Sequence, residues 1–245
     1  MERLDQLLFR RGLFESREKA KRAVMAGLVE VDGRAVDKPG SAIGEGAELV
    51  VRGAAEPYVS RAGRKLAAAL DHFALDPADR VCLDVGASTG GFTDCLLQRG
   101  ARRVYALDVG YGQLDYGLRN DPRVVVMERV NARHLEPDAV PEPSDLITLD
   151  VSFISLRKIV PPVLGVLAPA GYLLPMIKPQ FEAGRERVGK GGVIRSESVR
   201  ADVIRECVDG LCELGLACSG TYDSPVAGAR GNRESFALLR FEEAA

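Results

Sequence analysis

Between the apolar run Val81–Val85 and a helical stretch beginning near Phe92 lies Gly86-Ala87-Ser88-Thr89-Gly90-Gly91. A strand that turns through glycines into a helix brings backbone N–H groups against a nucleotide-like ligand. Three cofactor classes use such a turn. A nucleoside triphosphate requires Gly-Lys-Ser/Thr, and this loop holds no lysine. A dinucleotide requires glycine where this chain has Ser88, which compromises the close approach of a pyrophosphate. What remains is S-adenosylmethionine, which has no phosphate and carries cationic sulfonium and ammonium groups that attract carboxylates. Asp84 precedes the loop, and Asp108 stands 22 residues after Gly86 at the end of the next strand, where a carboxylate accepts hydrogen bonds from ribose hydroxyls. The expected cofactor contacts are Asp84, Gly86, Ala87, Ser88, Gly90, Gly91, Asp108 and Asp150, with Asn131 toward the adenine end.

The methyl acceptor is narrowed by what is missing. Enzymes that methylate a base amine carry Asp/Asn-Pro-Pro-aromatic after the fourth strand, but here the residues are Asp150-Val151-Ser152-Phe153. Attack on cytosine C5 needs a nucleophilic cysteine, commonly after proline or threonine. Cys82, Cys95, Cys207, Cys212 and Cys218 follow Val, Asp, Glu, Leu and Ala, so covalent base catalysis has no support. His72 and His134 are expected at the surface or partly packed. Lysines and carboxylates are left: Lys65, Asp150, Lys178 and Glu234. Asp150 and Lys178 each follow an apolar strand, LITL and YLLPMI, and both should reach the mouth of a sheet. A ribose hydroxyl is a poor nucleophile at neutral pH. A lysine made less basic by desolvation and a second cation can take its proton.

The elements that must position these residues form an α/β pattern. Strands are expected at VCLDV, RVYALD, VVVMERV, DLITLD and YLLPMI with helices between them, and Ser60 is expected to cap a helix through Lys65 and Leu70. A long helix follows from about Glu197 to Leu214. LACSGTYDSPV and SFALLRFE then adjoin without a helix, which predicts a terminal antiparallel hairpin on a parallel, Rossmann-like sheet. The domains read as 1–53, a linker 54–59, and 60–245.

The first fifty residues carry the charge that the whole chain conceals. With 33 basic and 35 acidic residues the net charge is −2, yet residues 3–22 hold a net +4. Two short helices, Leu4 to Gly12 and Arg17 to Ala26, precede a hairpin at Asp32-Gly33 and the strand AELVV. The order R-L-D-x-L-L, S-R-x-x-A and G-L-V-x-V-D-G resembles the small α+β RNA-binding domain first recognised in a protein of the small ribosomal subunit. The resemblance implies phosphate contacts from Arg3, Arg17, Lys21 and Arg22. Residues 180–195, rich in glycine and basic side chains, read as a mobile flap whose Arg185, Arg187 and Lys190 meet phosphates.

Lys65, Asp150, Lys178 and Glu234 match, in order and spacing, the Lys-Asp-Lys-Glu tetrad of the FtsJ-like ribose 2′-O-methyltransferases. With VSRAGRKL, LDVGASTGGFTD, DVGYGQL, RNDPRV, DVSFIS, IKPQFE and GNRESF, nearly the whole chain resembles the TlyA family of two-domain rRNA methyltransferases, also named haemolysin A. The resemblance implies 2′-O-methylation of cytidine in ribosomal RNA, with Lys178 as the base or its closest support and the other three residues orienting it and the ribose. It also implies ribosomal RNA or ribosomal subunits as partners, with no obligate protein partner evident. The linker stretch RGAAEP departs from some relatives in lacking an aromatic residue.

Composition removes other classes. At 46% hydrophobic and 28% charged over 245 residues, the chain can bury a sizeable core and is neither disordered nor fibrous. Five cysteines without a C-x-x-C pair, and two histidines, predict a reducing cytoplasm and no metal. MERLDQLLFRRG is too charged for a signal peptide. Ile159–Ile177 is uncharged over 19 residues, but Pro161, Pro162, Pro169 and Pro175, with Gly165 and Gly171, are expected to divide it into a short helix, a turn and a buried strand. A membrane-active cytolysin would need a signal peptide, a credible span or a basic helix with a broad apolar face, and the sequence shows none of these. The intact tetrad counts against an RNA-binding protein with an inert catalytic domain, and the first fifty residues count against a small-molecule methyltransferase.

Overall fold

A computed structural model describes residues 1–51, 57–189, 191–228 and 231–242. The chain divides into two compact units, Met1–Glu56 and Pro57–Ala245.

The first unit contains β1 (Glu2–Arg3), α1 (Leu4–Arg10), α2 (Arg17–Met25), β2 (Val29–Val31), β3 (Arg34–Ala35), β4 (Ala42–Ile43) and β5 (Leu49–Val51). Ser16 caps α2 by accepting from the Lys19 N–H at 3.2 Å, as its position before a helical pattern predicts. The hairpin between β2 and β3 turns at Asp32 and Gly33 with φ of 49° and 75°, the conformation a two-residue turn of this hand demands. Leu4, Leu8, Ala20, Ala23 and Val24 on the two helices bury against Val29 and Val31. The pairing of β1 with β4, two residues each, is too short to be visible as a pattern.

The second unit opens with α3 (Ala62–His72) and β6 (Val81–Val85), continues through α4 (Gly91–Gln98), β7 (Arg103–Asp108), α5 (Tyr116–Arg119), β8 (Val124–Glu128), β9 (Ser144–Leu149), α6 (Leu156–Leu164) and β10 (Leu167–Ile177), and ends with α7 (Pro179–Glu182), α8 (Glu197–Cys212), β11 (Leu216–Asp223) and β12 (Ser235–Phe241). The sheet order is β11-β12-β10-β9-β6-β7-β8. The strands from β8 to β10 are parallel, and β12 and β11 add antiparallel at one edge. After β8 the chain crosses back to the other side of β6, so β6 and β9 flank a topological switch point, where open α/β sheets bind ligands.

β6 is buried along its whole length because both sheet faces are covered. Val81, Leu83 and Val85 face one layer, which includes Ile159, Val160 and Val163 of α6 and Ile204, Cys207 and Leu211 of α8. Cys82 faces the other, with Leu66, Ala69 and Leu70 of α3 and Phe92, Cys95 and Leu96 of α4. Fully burying one such large apolar side chain stabilises the fold by roughly 1.5–3 kcal/mol.

Two expectations are corrected and a third is refined. The β8–β9 connection holds only a single 3-10 turn, Ala132–His134, because Pro137, Pro141 and Pro143 forbid a helix between that turn and β9. The helix, turn and strand expected of Ile159–Ile177 are present with Gly165 closing α6, but Pro161 and Pro162 lie inside the helix, and the first-turn carbonyls they leave without donors belong to the exposed residues Arg157 and Lys158. Ser60 does not cap α3 through its side chain. Arg61 holds the cap position, and the Ser60 carbonyl accepts from the Gly63 N–H at 3.1 Å.

Candidate active site

A cavity of about 590 Å³ opens at the switch point, walled by the glycine loop, the end of β7, residues 131–133 and the segment after β9. Gly86 makes it possible: φ is +87°, and a Cβ there would lie 2.8 Å from the Asp150 carbonyl oxygen. Ser88 also adopts a left-handed conformation. Its N–H donates to Asp108 Oδ2 at 2.8 Å, while the Gly110 N–H donates to Oδ1 at 2.6 Å. Both oxygens of Asp108 are thus aimed by backbone, and each keeps acceptor capacity toward the cavity that Asp108 lines. Asn131 borders the same cavity and accepts from the Arg133 N–H at 3.1 Å.

Asp84, Ala87, Gly90 and Gly91 are not among the cavity walls. The pleat turns Asp84 to the α3–α4 side, where it is fully buried and accepts from the Thr93 hydroxyl at 2.7 Å and the Thr148 hydroxyl at 3.5 Å. Burial pushes its carboxyl up to about 7, the Thr93 hydrogen bond opposes this, and the charge of Asp150 adds to the rise. Its place is beneath the loop, as a support for α4. Gly91 lets α4 approach α3, since a Cβ would sit 2.2 Å from Ser60 Oγ and 3.1 Å from the Gly63 nitrogen.

Lys65, Asp150, Lys178 and Glu234 form two ion pairs, one buried and one whose carboxylate, Asp150, is partly exposed. Lys65 Nζ lies 2.5 Å from Glu234 Oε2, with 9% and 3% of the two residues exposed. Lys178 Nζ lies 2.5 Å from Asp150 Oδ1 and donates to Ser152 Oγ at 2.9 Å. Asp150 and Ser152 are both cavity walls. The antiparallel register Ile177↔Ser235 puts Lys178 and Glu234, one residue beyond, at facing strand ends. The expected second cation beside Lys178 is not what its Nζ meets. Each lysine is matched with a carboxylate, which offsets the cost of burying its charge. A smaller cavity of about 230 Å³ opens over Lys65, between Ser60–Ala62 and Ala227–Gly228.

Ser152, Gln113 and Phe153 were missed by sequence reasoning. Ser88 Oγ donates to Gln113 Oε1 at 3.3 Å across the rim. Phe153, with φ of +63° and 90% exposure, places its ring 4.9 Å from that of Phe181. An aromatic residue three positions after Asp150, in the segment that follows a buried strand, was the available signal. Burial pushes the Cys82 thiol up to about 12 and the Cys95 thiol to about 11, and raises Cys207 as well, which disfavours the thiolate at these three positions.

The expected RNA contacts fare unequally. Lys21 is exposed, and Arg3 and Arg17 are half-exposed while bound to Asp5. Arg187 instead donates to both carboxylate oxygens of Glu206, at 2.9 and 2.6 Å, which ties the expected flap to α8. Lys190 lies outside the described residues. Residues 57–59, expected in the linker, are bound into the second unit. Gln98 Nε2 donates to the Pro57 carbonyl at 2.8 Å, and the Val59 N–H donates to Asp94 Oδ2 at 2.8 Å. Tyr58 packs over Gly63 and supplies an aromatic residue just beyond RGAAEP.

Comparison with known proteins agrees with this arrangement. The family model for FtsJ-like methyltransferases matches residues 58–241, and that for the S4 domain matches residues 2–49. The chain is 46% identical to the 16S/23S rRNA (cytidine-2'-O)-methyltransferase TlyA of Mycobacterium tuberculosis, over 97% of this chain and 89% of that protein. It is 42% identical to hemolysin A of Brachyspira hyodysenteriae, over 96% and 98%. A solved structure from Streptococcus thermophilus superposes with a TM-score of 0.78 at 45% identity, covering 99% of this chain and 89% of that one. With the fold, the cavity and both family matches in agreement, this chain belongs to the FtsJ-like methyltransferases, with an S4 domain ahead of the methyltransferase unit.

Proposed function

We propose that the protein transfers a methyl group from S-adenosylmethionine to the ribose 2′-hydroxyl of cytidine in ribosomal RNA, in the cytoplasm. The observation that carries this reading is the attachment of Lys178 to two cavity walls, Asp150 and Ser152, with the buried Lys65–Glu234 pair on the adjoining strand end. The similarity to the Mycobacterium tuberculosis protein named for this reaction supports the substrate.

The cavity suits the cofactor chemically. Asp108 and Asp150 present anionic oxygens, the glycine loop has no lysine to favour a phosphate, and Leu107, Val109, Ile154 and Ile159 offer apolar wall for a base. Asp108 would hold ribose hydroxyls, and Asn131 would serve the adenine end. The bound cofactor supplies an electrophilic methyl group on a sulfonium. Lys178, as the free amine, accepts the proton of the substrate hydroxyl, and Asp150 at 2.5 Å stabilises the ammonium so formed. Glu234 keeps the Lys65 ammonium oriented toward the substrate side.

Methyl transfer to ribosomal subunits with radiolabelled cofactor tests these roles alongside calorimetry. Lys178→Ala should bind the cofactor nearly normally and lose turnover by about a hundredfold or more. Lys178→Arg should not rescue, because a guanidinium does not give up its proton near neutral pH. Asp108→Ala should weaken cofactor binding and recover part of its activity at high cofactor concentration. Near-normal turnover in Lys178→Arg would reduce Lys178 to electrostatic stabilisation. Among the described residues, no helix is long and apolar enough to cross a membrane.

A further inference from the structure

Cations near the start of the chain differ in what holds them. Arg10 pairs with Glu2 and Lys19 with Glu15, contacts between side chains that are largely in solvent, and solvent competes with them. Asp5 is different. It lies in the first turn of α1 and is 1% exposed, although its two partners are surface residues. Arg3 donates from Nε to Asp5 Oδ1 at 3.1 Å and from one terminal nitrogen to Oδ2 at 3.2 Å. Arg17, the first residue of α2, donates from Nε to Oδ2 at 3.0 Å. Side-chain exposure is 49% for Arg3, 47% for Arg17 and 2% for Asp5.

The carboxylate therefore sits beneath two guanidinium groups that face outward. The Arg3 guanidinium also rests on Gly40, where a Cβ would lie 3.0 Å from its other terminal nitrogen. Among the described residues, the terminal nitrogens of Arg17 donate no further hydrogen bond. Two guanidinium groups anchored on one carboxylate offer their remaining N–H groups to an anion with several acceptor oxygens. For charge alone the arrangement is counterproductive, since Asp5 cancels one of the two positive charges. What it supplies is order: two long side chains are fixed before a ligand arrives, and that ordering would otherwise weaken binding.

We infer that Asp5 is a positioning residue for RNA binding, holding Arg3 and Arg17 as one preformed clamp for a backbone phosphate. This rests on the reading that the first unit binds RNA, and adds how it does so. A phosphate clamp fixes placement on the RNA without reading its sequence.

The test uses the full chain, deproteinised ribosomal RNA and a salt series, with thermal unfolding recorded for each variant. Asp5→Asn adds one positive charge, so charge alone predicts tighter binding. The clamp predicts binding about tenfold weaker and a salt slope shallower by about 0.7–0.9, the contribution of one phosphate. Arg17→Lys keeps both the charge and Asp5 but replaces a fork with a point charge, and should weaken binding by about three- to tenfold. A folded Asp5→Asn variant that binds as tightly as the parent, or more tightly, overturns the clamp. So does Arg17→Lys at parental affinity, whatever Asp5→Asn does. If Asp5→Asn fails to fold, Arg17→Lys alone decides. Failure of the underlying reading looks different: replacing Arg17, Lys21 and Arg22 together by Ala would then leave affinity and slope unchanged.

Discussion

Asp84 and Asp108 both lie at the ends of parallel strands near the glycine loop, yet only Asp108 lines the cavity. Asp84 is a buried acid whose carboxyl is pushed up to about 7, chiefly by burial. Its folded value exceeds the ordinary value of about 3.9, so the native state holds this proton more tightly than the unfolded chain. The stability it contributes is complete below about pH 4 and is lost as pH rises toward 7. Asp84→Asn removes the titration. Its denaturant midpoint relative to the parent should climb between about pH 4 and 7 and level off above. Curves that stay parallel across that window would show that Asp84 is not the group responsible.

At the scale of elements, the decisive contact is α3 against α4. α3 carries Lys65, and α4 begins at Gly91, so their separation sets how far Lys65 must reach to meet Glu234. An added methyl at Gly91 would meet Ser60 Oγ at 2.2 Å, which can rotate away, but also Ala62 Cβ at 3.0 Å and the Gly63 nitrogen at 3.1 Å, which cannot. Gly91→Ala should destabilise the second unit by about 1–3 kcal/mol, as overpacking does, and lower methyl transfer while cofactor binding changes less. An unfolding midpoint unaltered by the substitution would mean that the two helices have slack between them. Pro57, Tyr58 and Val59 add a strap to the same helices, through Gln98, Gly63 and Asp94.

For the whole molecule, the division into Met1–Glu56 and Pro57–Ala245 separates the basic helices from the cavity-bearing sheet. Each unit has its own apolar core. A chain beginning at Pro57 should therefore bind S-adenosylmethionine like the parent by calorimetry. Its affinity for ribosomal RNA should fall, and the salt dependence of that affinity should flatten as phosphate contacts are lost. An unchanged slope would place the RNA contacts in the second unit and assign the first unit another role.

Much of this organisation is legible in the sequence for definite reasons. A parallel strand covered on both faces has to be a nearly continuous apolar run, so VCLDV and LITL declare themselves, and the residues just after each run must emerge at the same edge of the sheet. That is enough to place Asp150 and Lys178 near the glycine loop. The expectation of a helix between β8 and β9 fails, although Pro137, Pro141 and Pro143 after His134 carry the signal against one. Partnership is another matter. Lys65 and Glu234 are 169 residues apart, and they meet because β12 inserts between β10 and β11 in one register. Nothing local distinguishes Asp84 from Asp108 either. The pleat sends successive side chains to opposite faces, so which acid meets the cavity and which is buried beneath the loop depends on how the strands pair and which layer covers each face. Those are choices made by packing across the whole unit, and only the tertiary structure decides them.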